Sequence, residues 1–339
     1  MTARALPPSR GLAFALLVVA CVVVAGGYVG WAALRGQAPA VVDPDGPPAA
    51  RADAASLAAT TSEPHLVFQN TTLGLDYAKA ALLPLDDTDG TRLLAELTCD
   101  RVYLAAGRGL CLFIEPGAIL RHWALVFDES FRETARIELF GPPSRARVSA
   151  DGRYGAATVF VFGHSYAEGS FSTATTLIDM AAGSTIALLE DFETYRDDEL
   201  IQAQDVNYWG VTFTADSNIF YATLATGGET YLVRGDIAAE EMRVVHVNVE
   251  CPSLSPDGSR IAYKKRVGGL GDWRFTVLDL ETLTETPLAE TESIDDQLEW
   301  LDGETIVYGK FDDLWTVPSD GSGAPSVFVR RALSPAVIR

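Results

Sequence analysis

Histidine, cysteine and methionine are scarce in this chain, with four, four and three among 339 residues. The histidines, His65, His122, His164 and His246, stand too far apart to form a ligand pattern, and the cysteines lack zinc-site spacing. No metal or cofactor is expected. Positive charge is also in short supply: 26 Lys and Arg face 46 Asp and Glu, a net charge of -20. Such a surface repels a phosphate backbone, which excludes nucleic acid as a partner. The same acidity keeps an exported domain soluble and suits a cationic partner. Beyond residue 64 no long stretch has helical periodicity, which excludes a helical bundle.

What is present begins with one apolar run. Residues 11–34 carry no charged side chain. Coiled as a helix they would extend about 36 Å, enough for a hydrocarbon core of about 30 Å. Arg4 and Arg10 precede the run and only Arg35 follows closely. The positive-inside rule then places residues 1–10 in the cytoplasm and everything after 34 outside. Two other readings export the chain as well. Ala38-Pro39-Ala40 offers an A-x-A-like cleavage site that would give a secreted protein, and Val18-Val19-Ala20-Cys21 resembles a lipid-attachment site. Residues 35–64 are rich in Ala, Pro, Asp and Ser, without strand or helix period, and read as a disordered linker.

From residue 65 on, short apolar or alternating runs are broken by Gly, Asp and Pro, the pattern of an all-β domain. One local theme repeats. An apolar residue leads into a turn with Asp and usually Gly, and a β-rich strand follows. The copies centre on Asp151-Gly152, Asp216, Asp257-Gly258 and Asp302-Gly303, with an earlier one at Gly107. Glycine tolerates the positive φ of a tight turn, and aspartate accepts from nearby backbone N–H groups. The spacings of 65, 41 and 45 residues between these aspartates match propeller blades of about 40–45 residues, with an insertion expected in the acidic stretch 190–205. Residues 66–96 hold three strands without a preceding turn, and Leu333-Ser334-Pro335 near the end repeats Leu254-Ser255-Pro256. The expectation is a six-bladed β-propeller over 65–339, closed by a C-terminal strand that completes the first blade.

Ser255-Pro256-Asp257-Gly258 followed by Ile261-Ala262-Tyr263 resembles the WD40-like repeat of the TolB propeller family, as does the hairpin Leu85-Asp86-Asp87-Thr88-Asp89-Gly90-Thr91. The resemblance covers roughly 66–339 and implies a six-bladed propeller used for protein contact outside the cytoplasm. In that family an α/β domain stands where this chain has its apolar run and linker.

Cys99 and Cys111 flank the glycine turn at 107–109, so a hairpin can bring them together as a disulfide in an exported domain. Cys251 is then a free thiol, although an odd count leaves its pairing with either of the others open. Gly163-His164-Ser165-Tyr166-Ala167 half-resembles a hydrolase nucleophile elbow, but no hydrolase domain follows it. Asp87, Asp89, Gly90 and Glu96 match part of a calcium-loop spacing, in a segment that reads as a hairpin. The tryptophans recur near strands and read as core between blades, with one or two free to anchor a partner. No catalytic residue is assigned. The expected function is a membrane-anchored, extracytoplasmic binding module for a protein or envelope component. The alternatives are a hydrolase or lyase with a channel-face site, and a ligand or calcium sensor.

Overall fold

The computed structural model describes residues 10–35, 43–161, 172–269 and 271–339. The chain divides into two compact units, Met1–Val42 and Asp43–Arg339. In the first lies helix α1 (Arg10–Arg35), whose described large apolar side chains, Phe14, Leu17 and Val24 among them, are exposed. Among the described residues no helix is long and apolar enough to cross a membrane. The span expected at 11–34 is therefore not a finding of the structure.

The second unit opens with β1 (Ala49–Arg51) and helix α2 (Ala54–Thr61). Blade I contains β2 (His65–Asn70), β3 (Lys79–Pro84) and β4 (Arg92–Thr98). Blade II is β5 (Arg101–Ala105), β6 (Arg108–Glu115), β7 (Arg121–Asp128) and β8 (Glu133–Leu139). Blade III is β9 (Pro143–Val148), β10 (Tyr154–Val161), β11 (Ser172–Asp179) and β12 (Ser184–Leu188). Two short strands follow, β13 (Glu193–Arg196) and β14 (Glu199–Leu200), before blade IV, β15 (Asn207–Phe213), β16 (Ile219–Thr226), β17 (Glu229–Asp236) and β18 (Glu241–Val247). Blade V is β19 (Glu250–Leu254), β20 (Arg260–Arg266), β21 (Trp273–Asp279) and β22 (Glu285–Pro287). Blade VI is β23 (Glu299–Trp300), β24 (Thr305–Lys310), β25 (Asp313–Pro318) and β26 (Ser326–Val329). The last strand, β27 (Ala332–Ile338), pairs antiparallel with β2, Asn70 opposite Ala332 and His65 opposite Ile338. The result is a six-bladed β-propeller in which each blade is an antiparallel meander.

Strand direction gives the propeller two distinct faces. Turns from first to second and from third to fourth strand lie on one face, called the turn face below. Second-to-third turns and the blade-to-blade connectors lie on the other, the connector face. The expected insertion appears where the long spacing put it. β13 runs parallel to β18, Glu193 opposite Glu241, and with β14 widens blade IV to six strands.

The linker expectation needs correction. Residues 49–61 are ordered: β1 adds to blade I parallel to β4, and Leu57 of α2 packs into the cluster of Val67, Leu82 and Cys99. The cause is local. Asp53 caps α2 by accepting from Ser56 N at 2.8 Å, and Ser56 Oγ accepts from Asp53 N at 2.9 Å.

The core sits between blades. Phe127 is fully buried over Gly109, its partner on the adjacent strand, where a Cβ would lie 1.9 Å from the ring. Blade IV repeats the device with Phe220 over Gly235. Cys99 and Cys111 are joined, with Cα atoms 5.3 Å apart, and Cys251 is a buried free thiol. The bond is not cross-strand within the hairpin, because Cys111 faces Val102 across β5–β6. Cys99 precedes β5, so the bridge pins the connector between blades I and II.

Candidate functional site

The repeated turns fall between the first and second strands of blades II to VI, all on the turn face. Asp151 Oδ1 accepts from Ser149 Oγ at 2.7 Å and from Arg153 N at 3.0 Å. Asp257 Oδ1 accepts from Ser255 Oγ at 2.5 Å and from Ser259 N at 3.1 Å. Each serine hydroxyl in turn accepts a backbone N–H, from Tyr154 and Arg260 respectively, both at 2.9 Å. Thr214 plays the serine's part toward Asp216 at 2.8 Å. Asp302 lacks a hydroxyl partner and accepts from Glu304 N and Thr305 N, both at 2.7 Å. The Ser255 hydroxyl, helped by the Ser259 amide, holds the Asp257 carboxyl down at about 2. These aspartates fasten turns, and nothing marks them as reactive.

Glycine is needed at some of these turns and not at others. Gly107, Gly152 and Gly258 have φ of 73°, 69° and 74°. In blade IV Ser217 takes a φ of 63° at that position, and Gly303 has no positive φ and open space around it. Gly303 is thus not required by its turn, a correction to the expectation from the motif.

The turns rim an axial cavity of about 590 Å³, open on the turn face and lined by Tyr103, Arg147, Phe213, Asp216, Ser255 and Trp300 among others. Its floor is a buried charged cluster. Arg147 is ion-paired with Glu299, donates to Ser253 Oγ at 3.3 Å and lies 4.7 Å over the Tyr103 ring. Tyr103 Oη donates to Glu299 Oε1 at 3.2 Å. Burial pushes the Tyr103 hydroxyl up to about 12. Burial alone would lower Arg147, but the Glu299 carboxylate outweighs it and raises the guanidinium above its ordinary value.

Below this floor the axis narrows to about 20 Å³ between Arg101, Arg145, Arg147, Gln297 and Glu299. It then widens to about 300 Å³ on the connector face, beside Asp295, Asp296, Lys310 and Phe311. Asp295 accepts from Lys264 at 2.5 Å and from Arg145 at 3.2 Å. Lys310 reaches Glu290 and Glu292, both at 3.0 Å. Lys264 lies 4.1 Å over Trp273 and Lys310 4.8 Å over Trp315. The propeller tryptophans are buried or part-buried, with Trp300 donating to Ser253 O at 2.9 Å, so none stands free as an exposed anchor. Arg147, Lys264 and Lys310 each have a carboxylate partner along the channel, which suits a fixed scaffold.

The channel residues were missed by motif reading. Their signal was charge in strands that are otherwise buried: Arg145 and Arg147 in β9, Glu299 in β23. The Gly163–Ala167 stretch lies outside the described residues. His246 Nε2 lies 3.1 Å from Glu285 and His65 is buried on Glu63 O, so the described histidines stay dispersed. Asp87 serves a tight turn, its carbonyl accepting from Gly90 N at 3.2 Å. Among the described residues no group of three or more His, Cys, Asp or Glu is placed to hold a metal.

The outer turn face is acidic in every blade. Asp86 and Asp89, Glu129, Asp151, Glu240, Glu281 and Glu304 all belong to its turns, whereas the basic residues there are Arg132 and Arg153.

No protein-family model matches the chain, and no curated protein matches it. Solved structures do. TolB from Acinetobacter baumannii superposes with a TM-score of 0.57 at 17% identity, covering 81% of this chain and 67% of that one. A nidogen/laminin complex gives 0.54 at 13%, covering 81% and 98%. A putative TolB from Agrobacterium tumefaciens gives 0.45 at 12%, covering 80% and 90%. The chain has a TolB-like six-bladed propeller fold, and at these identities the likeness concerns the fold alone.

Proposed function

We propose that the chain is a non-catalytic binding module, held outside the cytoplasm by the apolar segment 11–34, whose turn face receives a cationic protein or envelope component. The observation that carries this reading is the open axial cavity of about 590 Å³ whose rim holds Asp216 and Asp257, on a face to whose turns every blade contributes carboxylates. Such a rim steers a cationic partner and raises its association rate. The buried pairs beneath hold the rim in place. A propeller of similar fold occurs in a nidogen/laminin complex, which favours binding as its use. The tether rests on the sequence, an uncharged run of membrane-spanning length, and on an apolar helix whose described large apolar side chains are exposed. We further propose that the pairing of β27 with β2 closes the ring, the two strands of one blade being drawn from opposite ends of the domain.

The test is in-cell crosslinking of the full chain beside a variant with Asp86→Asn, Asp89→Asn and Glu304→Gln, three exposed residues. One captured protein or envelope component, lost in the variant and at high salt, supports the reading. Turnover of a peptide, ester or glycan substrate by the full chain, abolished by Glu299→Gln, would overturn it.

A further inference from the structure

The exposed apolar residues of the propeller are unevenly placed. Leu75, Ile119, Phe140, Val247, Val267 and Phe311 all sit in or beside connector-face loops, and together they represent blades I, II, IV, V and VI. Leu75, Ile119 and Phe311 are 84%, 82% and 79% exposed. In the turns of the opposite face, Leu283 is the single exposed large apolar residue among those described. An apolar surface of this kind on a soluble domain marks a contact site.

Charge is divided the other way. The turn-face carboxylates are largely free of cations, whereas several on the connector face are paired with them. Asp76 pairs with Arg51 at 2.7 Å and Asp312 with Arg331 at 3.3 Å. Glu290, Glu292 and Asp295 pair with Lys310 and Lys264, as described above.

The chain also joins the propeller on the connector face. Asp43, the first residue of the unit, lies 3.0 Å from Arg331 in the β26–β27 connector, and Gly46 abuts Thr72 in the β2–β3 loop that carries Leu75. Only residues 36–42 separate Asp43 from the end of α1. Fully extended, that tether reaches no more than about 28 Å.

We infer that the connector face rests on the lipid bilayer, its ring of apolar side chains inserting into the interfacial region while the acidic turn face points away. The inference rests on the tether proposed above. A bilayer fits better than a protein because the exposed apolar residues are carried on loops of five blades, Leu73, Leu75 and Tyr77 on one and Ile119 and Leu120 on another, instead of forming one pocketed centre. The contact is apolar in kind, so it does not require anionic lipid.

The test uses the full chain with Cys21→Ala, reconstituted in phosphatidylcholine vesicles and carrying one fluorophore at Leu75→Cys, Phe311→Cys or Glu304→Cys. Cys251 is buried and Cys99 is bonded to Cys111, so neither competes for label. Nitroxide-labelled lipid should quench the probes at 75 and 311 several-fold more strongly than the probe at 304. A Phe311→Ser change should reduce quenching at 75 without altering the melting temperature. If the chain stays with the vesicles in alkaline carbonate but all three probes respond alike, docking is wrong and the tether stands. Release by carbonate overturns both. Shielding of 75 and 311 in native membranes but not in pure lipid assigns the face to a protein and overturns the bilayer.

Discussion

Glu190 shows what a single buried carboxyl does to this fold. Its oxygens accept from Thr175 N at 3.1 and 3.3 Å, yet burial dominates and pushes the carboxyl up to about 7. In the unfolded chain the same group titrates near its ordinary 4.5. Between those values the native state binds more protons than the unfolded one, so stability falls as pH rises through that window. The expected loss is about 2–3 kcal/mol at roughly 1.4 kcal/mol per unit. Glu190→Gln should remove it. Melting temperatures of the two proteins between pH 5 and 8 check this: the wild type should lose ground steadily relative to the variant, and a constant difference would contradict the assignment. Asp257 acts in the opposite sense, because its lowered value makes its contribution present above about pH 4 and lost as pH falls toward 2. A second residue-scale expectation concerns Arg147 and Glu299. Removing one partner leaves a buried uncompensated charge, which costs about 3–5 kcal/mol. Glu299→Leu alone should therefore destabilise more than Glu299→Leu with Arg147→Met, measured by urea unfolding.

At the scale of the elements, each blade is a hairpin ladder held by a turn and a packed ring. Gly235 shows how little slack there is, since a Cβ there would meet Phe220 Cζ at 2.1 Å. Gly235→Ala should cost about 1–3 kcal/mol by overpacking, and adding Phe220→Leu should recover part of it. Circular dichroism melts of the two variants decide the point. The bridge from Cys99 to Cys111 closes a sequence separation of 12 residues, worth about 3 kcal/mol through the unfolded chain. Reductant should lower the melting temperature of the wild type and leave a Cys99→Ser/Cys111→Ser variant unmoved. The blades were legible because Asp151, Asp257 and Asp302 repeat a turn whose chemistry is local. The β1–α2 segment was not, since 49–61 is alanine-rich and α2 buries only Leu57, too little to set a period. Its start signal was nevertheless present in Asp53 and Ser56. The axial cluster was illegible for another reason. Tyr103, Arg147 and Glu299 lie far apart in sequence and meet only when the ring brings the inner strands together.

For the molecule as a whole, the two faces of the propeller differ in chemistry because adjacent turns along the chain alternate between them. First-to-second turns carry the aspartates that fasten hairpins, and further carboxylates gather beside them. Second-to-third turns carry Leu75, Ile119, Val267 and Phe311. The propeller separates those two sets onto opposite surfaces, so alternation along the sequence becomes polarity in space. On the two proposals above, partner binding belongs to the turn face and the membrane to the connector face. The most direct measurement places a photo-crosslinking residue at Glu304 or at Phe311 in the full chain in cells. Position 304 should capture a protein or envelope component and position 311 lipid. Capture of one and the same protein from both positions, or none from position 304, would contradict the account.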